Sequence, residues 1–243
     1  MSAHSPLYLF TDFGLQGPYV GQMVAAISAD CPACRVISLM HDAAAMRPDL
    51  AAYLLPAVTA SLPPQGIVVA VVDPGVGSDR AALVVRTAER IYVGPDNGLL
   101  SRLPGIRRVE RVLWRPPEMS ASFHGRDLFA PVAARLARDA WLETATMATG
   151  DMVGADWPAA CAQVVYIDVY GNLMTGLDAA SLDRDVCLAV AGRQIPHART
   201  FSDAPADGLF WYLNSQGLVE IAARGDSASR ILSLELGDPL LLD

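Results

Sequence analysis

The stretch Ile67-Val68-Val69-Ala70-Val71-Val72-Asp73-Pro74-Gly75-Val76-Gly77-Ser78-Asp79-Arg80 decides the fold. Its continuous aliphatic run reads as a strand buried on both faces, as in a parallel sheet. Pro74 cannot donate to a ladder, and Gly75 and Gly77 admit backbone shapes closed to other residues. The chain therefore leaves the sheet at Asp73, with a carboxylate at a strand's carboxyl end, the edge where open α/β sheets bind ligands. A second apolar run, 81–85, starts straight after Arg80, so the loop is short and Asp73 and Arg80 can converge across it. Taken alone, the segment is equally a structural turn stapled by a surface Asp-Arg pair.

Upstream, Pro6 to Phe10 reads as a first strand that exits through Thr11-Asp12-Phe13-Gly14, again with a carboxylate at the exit. Pro18 to Ala29 has helical spacing, Arg35 to Met40 is a strand ending in His41-Asp42, and Arg47-Pro48-Asp49 opens a helix running at least to Leu55, which Pro56 kinks or ends. Strand, helix, strand, helix, strand is a βαβαβ series, and right-handed crossovers stack such strands parallel under helices on both faces. Downstream, Arg90 to Val93 is a further strand running into Gly94-Pro95-Asp96-Asn97-Gly98-Leu99-Leu100, which puts a third carboxylate at the same edge. Beyond Val109 to Trp114 and a Pro-Pro break, Ser122-Phe123-His124-Gly125-Arg126-Asp127 leads into a helix whose apolar stripe is Leu128, Phe129, Val132, Ala133 and Leu136. His124 then sits at or just before a helix start, where the first-turn amides disfavour its charged form.

From Thr144 to Pro158 the residues turn small and polar, and a boundary there divides the chain into domains 1–155 and 156–243. The second domain is a series of short strands, at 163–168, 186–190, 210–213, 218–222 and 231–236, separated by turn signals such as Tyr170-Gly171-Asn172 and Asn214-Ser215-Gln216-Gly217. The fold class expected is an α/β N-terminal domain with a mostly parallel sheet flanked by helices, joined to a small all-β domain, barrel or sandwich.

Composition narrows the function. With 243 residues, 52% of them apolar and 18% charged, the chain buries a sizeable core. A net charge of −8 with no basic block argues against a nucleic-acid partner. The apolar runs are too short to span a membrane, and the opening Met1 to Pro6 lacks the pattern of a signal peptide, so a cytoplasmic protein is expected. Cys31-Pro32-Ala33-Cys34 has the spacing of a redox or zinc half-site, but Cys161 and Cys187 are single and distant, so free thiols in a reducing compartment are expected.

Six segments, Thr11 to Gly14, Val72 to Gly77, Gly94 to Leu99, Phe123 to Asp127, Asp168-Val169-Tyr170-Gly171-Asn172 and Asn214 to Gly217, occur in an order that resembles the S-adenosyl-L-methionine hydrolases. These are also called S-adenosyl-L-methionine hydroxide adenosyltransferases, relatives of the fluorinase and chlorinase. The resemblance spans nearly the whole chain. It implies hydrolysis of S-adenosyl-L-methionine to adenosine and L-methionine by displacement at the ribose 5′ carbon. It also implies a homotrimer whose active sites lie between the N-terminal domain of one copy and the C-terminal domain of the next. Asp73, Arg80 and His124 match the family's water-activating set. The chemistry suits them: Arg80 does not lose its proton but favours hydroxide, while His124 or Asp73 accepts the proton. The leaving group is a neutral thioether, so neither an acid catalyst nor a metal or other cofactor is required, and an apolar wall such as Phe123 is compatible with the loss of charge.

By the same resemblance Asp12 holds the ribose hydroxyls, Asp168 and Asn172 the methionine amine and neighbouring polar atoms, and Ser215 lies near the methionine carboxylate. The backbone around Ala223 and Gly225 meets the adenine edge, and Phe201 stacks on its face. Read without the family, 168–172 is a hairpin turn and Phe201 a core aromatic. Gly17 stands where the family often has an Asp, and Met40 where a Thr is common. Three rivals remain: halide-dependent substitution on the same substrate, a binding module without turnover, and a metal-dependent hydrolase using Asp12, His41, Asp73 and His124. Halide-using relatives lack the Asp-Arg-His set and carry an extra loop, and no ligand pair here has the helical spacing of a metal motif.

Overall fold

The computed structural model describes residues 5–206 and 208–240; the opening residues 1–4, part of the segment considered for a signal peptide, lie outside the described residues. The chain divides into two compact units, the first built from Met1–Leu55 and Leu62–Trp157, the second from Pro56–Ser61 and Pro158–Asp243.

The first unit carries strands β1 (Leu7–Thr11), β2 (Val36–Met40), β3 (Ile67–Val71), β4 (Ala82–Thr87), β5 (Ile91–Pro95), β6 (Ile106–Val112) and β7 (Thr144–Met147), with helix α1 (Tyr19–Asp30), the part of α2 (Pro48–Ala60) up to Leu55, and α3 (Ala130–Ala137). The strands form one sheet in the order β2-β1-β3-β5-β4-β6-β7. β2, β1, β3 and β5 run parallel, while β4, β6 and β7 each join by antiparallel pairing, so the sheet is mixed. β1 and β3 are buried along their whole length, as continuous aliphatic strands of a parallel sheet should be. α1 and α3 pack on each other and close one core, with Met23 and Ile27 of α1 and Phe129, Val132 and Ala133 against Leu9, Val69 and Val84.

Three local expectations change. α2 does not end at Pro56 but continues to Ala60, with the Thr59 hydroxyl donating to the Pro56 carbonyl at 3.3 Å. The small, polar stretch from Thr144 begins with β7, an edge strand whose short, half-exposed pattern shows no period in the sequence. Cys31 and Cys34 form a disulfide instead of remaining thiols: the chain turns sharply after α1 and brings their Cα atoms to 5.3 Å, while Cys161 and Cys187 keep their thiols, that of Cys161 donating to Gln163.

The second unit is a four-stranded, wholly antiparallel sheet in the order β12-β13-β9-β8 plus a separate hairpin. Its strands are β8 (Cys161–Ile167), β9 (Leu173–Asp178), β10 (Leu188–Val190), β11 (Arg193–Ile195), β12 (Leu209–Leu213) and β13 (Leu218–Ala223). One sheet face holds a core of Val164, Leu173, Trp211, Val219 and Ile221. The expected strand at 231–236 is instead the end of a short helix, α4 (Ala228–Leu232), and a turn. The Ser227 side chain caps α4 by accepting from the Arg230 amide, a start signal the apolar run concealed. No helix among the described residues is long and apolar enough to cross a membrane.

Candidate active site

The sheet register brings the first carboxylates together. Thr11 of β1 lies opposite Val71 of β3, so the two strands end level and release Asp12 one residue and Asp73 two residues past the same edge, near enough for the Asp73 charge to act on Asp12. Burial raises the Asp12 carboxyl above its ordinary value, the Asp73 charge adds to this, and the Met46 amide, which donates to Asp12 at 2.9 Å, opposes it. Asp96, the third exit carboxylate, is taken up locally: it accepts from the Val153 amide at 3.0 Å, while Asn97 donates to the Val72 carbonyl at 2.9 Å.

Asp73 and Arg80 form a buried bidentate pair, not the surface staple the segment alone allowed. The Arg80 Nε donates to Asp73 Oδ1 at 2.7 Å, and its Nη2 donates to Oδ2. The Arg80 and Asp73 side chains are only 9% and 6% accessible. Arg80 also lies over the Phe129 ring, 5.1 Å from its centroid. Its Nη2 reaches His124 Nδ1 at 3.0 Å, so Arg80 is the hub that joins the other two. A guanidinium only donates, so Nδ1 is the acceptor and the neutral imidazole carries its hydrogen on Nε2. Burial, then the Arg80 charge, holds His124 below the ordinary histidine range, so burial outranks the helix-start amides as the cause.

The backbone around His124 is specialised. His124 precedes a single π-helical turn, Gly125–Phe129, that feeds α3, and such turns occur often at functional sites. Gly125 fits closely there: a Cβ would lie 3.0 Å from the Phe123 ring and 3.2 Å from Phe13, so the rings would have to give way by a few tenths of an ångström. Phe123 stacks edge-on against Phe13 and Tyr19, at 5.7 and 5.3 Å between centroids, so the apolar wall is a three-ring cluster. Gly77, at φ +85°, lets the Asp73–Arg80 loop touch the Ala121 carbonyl, which a Cβ would approach to 2.6 Å. Behind this contact lies a cavity of about 400 Å³, bordered by Arg80, Arg115, Ala121 and His124.

In the second unit the structure gathers most of the remaining candidates. Asn172, Phe201, Ala223 and Gly225 line one cavity of about 440 Å³, together with Tyr170 and Arg230. Phe201 answers both readings: it packs edge-on against Phe210 and Tyr212, at 5.0 and 5.7 Å, yet stays 39% exposed. Asp168 shapes the turn, accepting from the amides of Tyr170 and Asn172 and from the Asn172 side chain, each at 2.9 Å. Ser215 is exposed in the turn between β12 and β13, whereas Ala223 is at the other end of β13, roughly 17 Å away for six extended residues.

Two residues, Glu220 and Arg115, escaped the sequence reading, and His41, considered there only as a metal ligand, takes another role. It is buried, bonds Thr11 Oγ1 through Nδ1 at 2.8 Å, and has no partner for Nε2 among the described residues. It thereby ties the β2 exit to the β1 exit beside Asp12. Glu220 is buried, accepting from Tyr212 at 2.5 Å and from the Asn214 amide at 2.9 Å. Asn214 in turn accepts from the Gln216 and Leu218 amides, so Glu220 braces the turn that carries Ser215. Burial, before any partner, raises the carboxyl of Glu220. A charged residue inside the apolar run 218–222, opposite Tyr212 in another, is the signal that marks it. Arg115 gave no signal beyond its place before two prolines.

Comparison with known proteins gives one answer along the chain. Residues 7–146 match the SAM hydroxide adenosyltransferase N-terminal domain and residues 162–241 the C-terminal domain. A protein of Salinispora arenicola named (R)-S-adenosyl-L-methionine hydrolase is 38% identical over 258 residues, covering 98% of each chain. One of the same name from Thermus thermophilus is 36% identical over 259 residues, covering 98% of this chain and 99% of that one. The crystal structure of an uncharacterized conserved protein from Thermotoga maritima superposes with a TM-score of 0.85 at 28% identity, covering 96% of this chain and 98% of that one. With both domain models matched in order and the relatives aligned nearly end to end, the chain belongs to the S-adenosyl-L-methionine hydroxide adenosyltransferase family.

Proposed function

We infer that the protein hydrolyses S-adenosyl-L-methionine to adenosine and L-methionine, and that it takes the epimer named in its relatives. Since the L descriptor fixes the amino-acid carbon, (R) there denotes the sulfonium centre. The observation that carries the reading is the buried Asp73-Arg80-His124 chain of hydrogen bonds. A water oxygen bonds to the ribose 5′ carbon as the carbon-sulfur bond breaks, the electron pair leaves on sulfur, and methionine departs as a neutral thioether. With Nδ1 accepting from Arg80, His124 offers Nε2–H to the water and is not the base, so the proton passes to Asp73. Arg80 keeps its proton throughout and stabilises the developing hydroxide. Phe123 supplies an apolar wall at which the sulfonium charge disappears.

Asp12 binds the ribose diol, its carboxylate held by the Met46 amide. Phe201, Ala223 and Gly225 receive the adenine in the cavity that Asn172 also borders, Asp168 and Asn172 hold the methionine amine beside it, and Ser215, at the far end of the β12–β13 hairpin, marks the methionine carboxylate side. Each catalytic centre takes its second-unit residues from a neighbouring copy in a homotrimer. Exposed apolar side chains beside both sets of residues, Leu15 at 79% and Met46 at 73%, Val169 at 89% and Tyr170 at 75%, support a partner that covers them. The test is chromatography of protein incubated with each sulfonium epimer, with light scattering for the oligomer. Adenosine and methionine in equal amounts from the (R) epimer, indifferent to chelator and chloride, are expected; intact substrate refutes the reading.

A further inference from the structure

Arg115 lies three residues past the end of β6 and is fixed by donating Nη1 to the carbonyls of Val112 and Trp114, at 2.8 and 2.9 Å. It shares the cavity of about 400 Å³ with Arg80 and His124. The carboxylates nearby are otherwise engaged. Asp73 is taken by Arg80, and Asp127 by Arg126 at 2.5 Å and by the Ser120 amide at 2.8 Å. Asp79 stands exposed at the rim. Arg115 has no ion-pair partner among the described residues, so its charge is uncompensated where it faces the cavity.

We propose that Arg115 is a positioning residue of the hydrolytic centre: across the cavity shared with Arg80 and His124, its unpaired guanidinium supplies positive potential that favours hydroxide over water. This rests on the reading of Asp73, Arg80 and His124 as the water-activating set. Asp73 offsets part of the Arg80 charge, so a second cation adds to the stabilisation of hydroxide that Arg80 supplies. Asp73 and Asp79 balance the two guanidinium charges around the cavity as a whole, but Arg115, unlike Asp79, acts on His124. The charges that bear on His124 are Arg80 and Arg115, which oppose its protonation, and Asp73 and Asp127, which favour it; of the two cations only Arg115 lacks a carboxylate. Neutral His124 is the form that accepts from Arg80, so Arg115 also protects the hydrogen-bond chain against acid.

The test is Arg115→Gln, which keeps donors for the two carbonyls and deletes the charge, beside Arg115→Lys, which keeps the charge. In Arg115→Gln, kcat should fall about threefold to tenfold at neutral pH with KM unchanged within about twofold, and the acid limb of kcat should move to higher pH. Arg115→Lys should restore both. Because Arg115 is exposed and Arg80 is not, high salt should narrow the gap between wild type and Arg115→Gln. An NMR titration of His124 reads the same effect without turnover: its midpoint should rise in Arg115→Gln. A lower melting temperature with an unmoved His124 midpoint would overturn the proposal and leave a structural role. Absence of turnover in the wild type fails the hydrolase reading instead, and the His124 titration still decides on Arg115.

Discussion

Asp73→Asn separates chemistry from stability. The substitution leaves the Arg80 guanidinium in a site where its side chain is 9% accessible, with a neutral amide in place of its counter-charge. Asn can still accept from Nε with one oxygen, but it turns an NH2 towards Nη2, which only donates. Breaking a buried pair from one side costs about 3–5 kcal/mol, and the surviving hydrogen bond places this case near about 3. For a chain of this size that corresponds to a fall of roughly 6–12 °C in melting temperature. Turnover should fall on the order of a hundredfold or more, since the proton acceptor is gone. Replacing both partners, Asp73→Leu with Arg80→Met, removes the stranded charge, so most of the stability should return while activity stays lost. The assays are urea and thermal unfolding monitored by circular dichroism, and chromatographic detection of adenosine. A single variant as stable as wild type would refute the buried-pair argument, and a double variant with measurable turnover would refute the assignment of the base.

Four shorter expectations accompany this one. His41 and His124 are both held below their ordinary value chiefly by burial, so the unfolded chain binds protons first as pH falls; stability should decline as pH drops below about 6.5, and less steeply in His41→Asn. Glu220 is shifted the opposite way, so wild type should lose stability relative to Glu220→Gln as pH rises through the carboxylate range, a difference visible in urea titrations at pH 4 and 8. The same variant should raise KM through the loosened Ser215 turn, with kcat retained. Phe201→Ala should weaken adenosine binding by about 1–3 kcal/mol in calorimetry, the usual worth of one aromatic-base stack; an unchanged affinity would return Phe201 to the core.

The α/β half was legible because its signals are local. An aliphatic run closed by Asp-Pro-Gly specifies a buried strand and its exit, and two such exits that end level bring Asp12 and Asp73 of the candidate site to one edge. The second unit was read less well. At 231–236 a string of aliphatic residues fits strand or helix, and only the Ser227 cap, outside that string, decides. Phe201 and Asn172 entered as candidates through family resemblance, whereas Glu220, Arg115 and the Thr11–His41 latch depend on which side chains meet across strands or loops. The Asp73–Arg80 pair shows the same limit: convergence came from a short loop, but burial beneath Phe129 did not.

The level ends of β1 and β3 also govern how this chain can change length. Because side chains alternate along a strand, deleting one residue inside 67–71 would draw Asp73 into the place of buried Val72 and turn its carboxylate to the opposite face, disrupting its pairing with Arg80 in a single event. An insertion in the turn at 61–66, ahead of the strand, leaves that alignment intact. Gaps between diverging descendants should therefore gather at the amino ends of these strands and be absent between strand and carboxylate, a pattern of insertion and deletion that a survey of genomes can count.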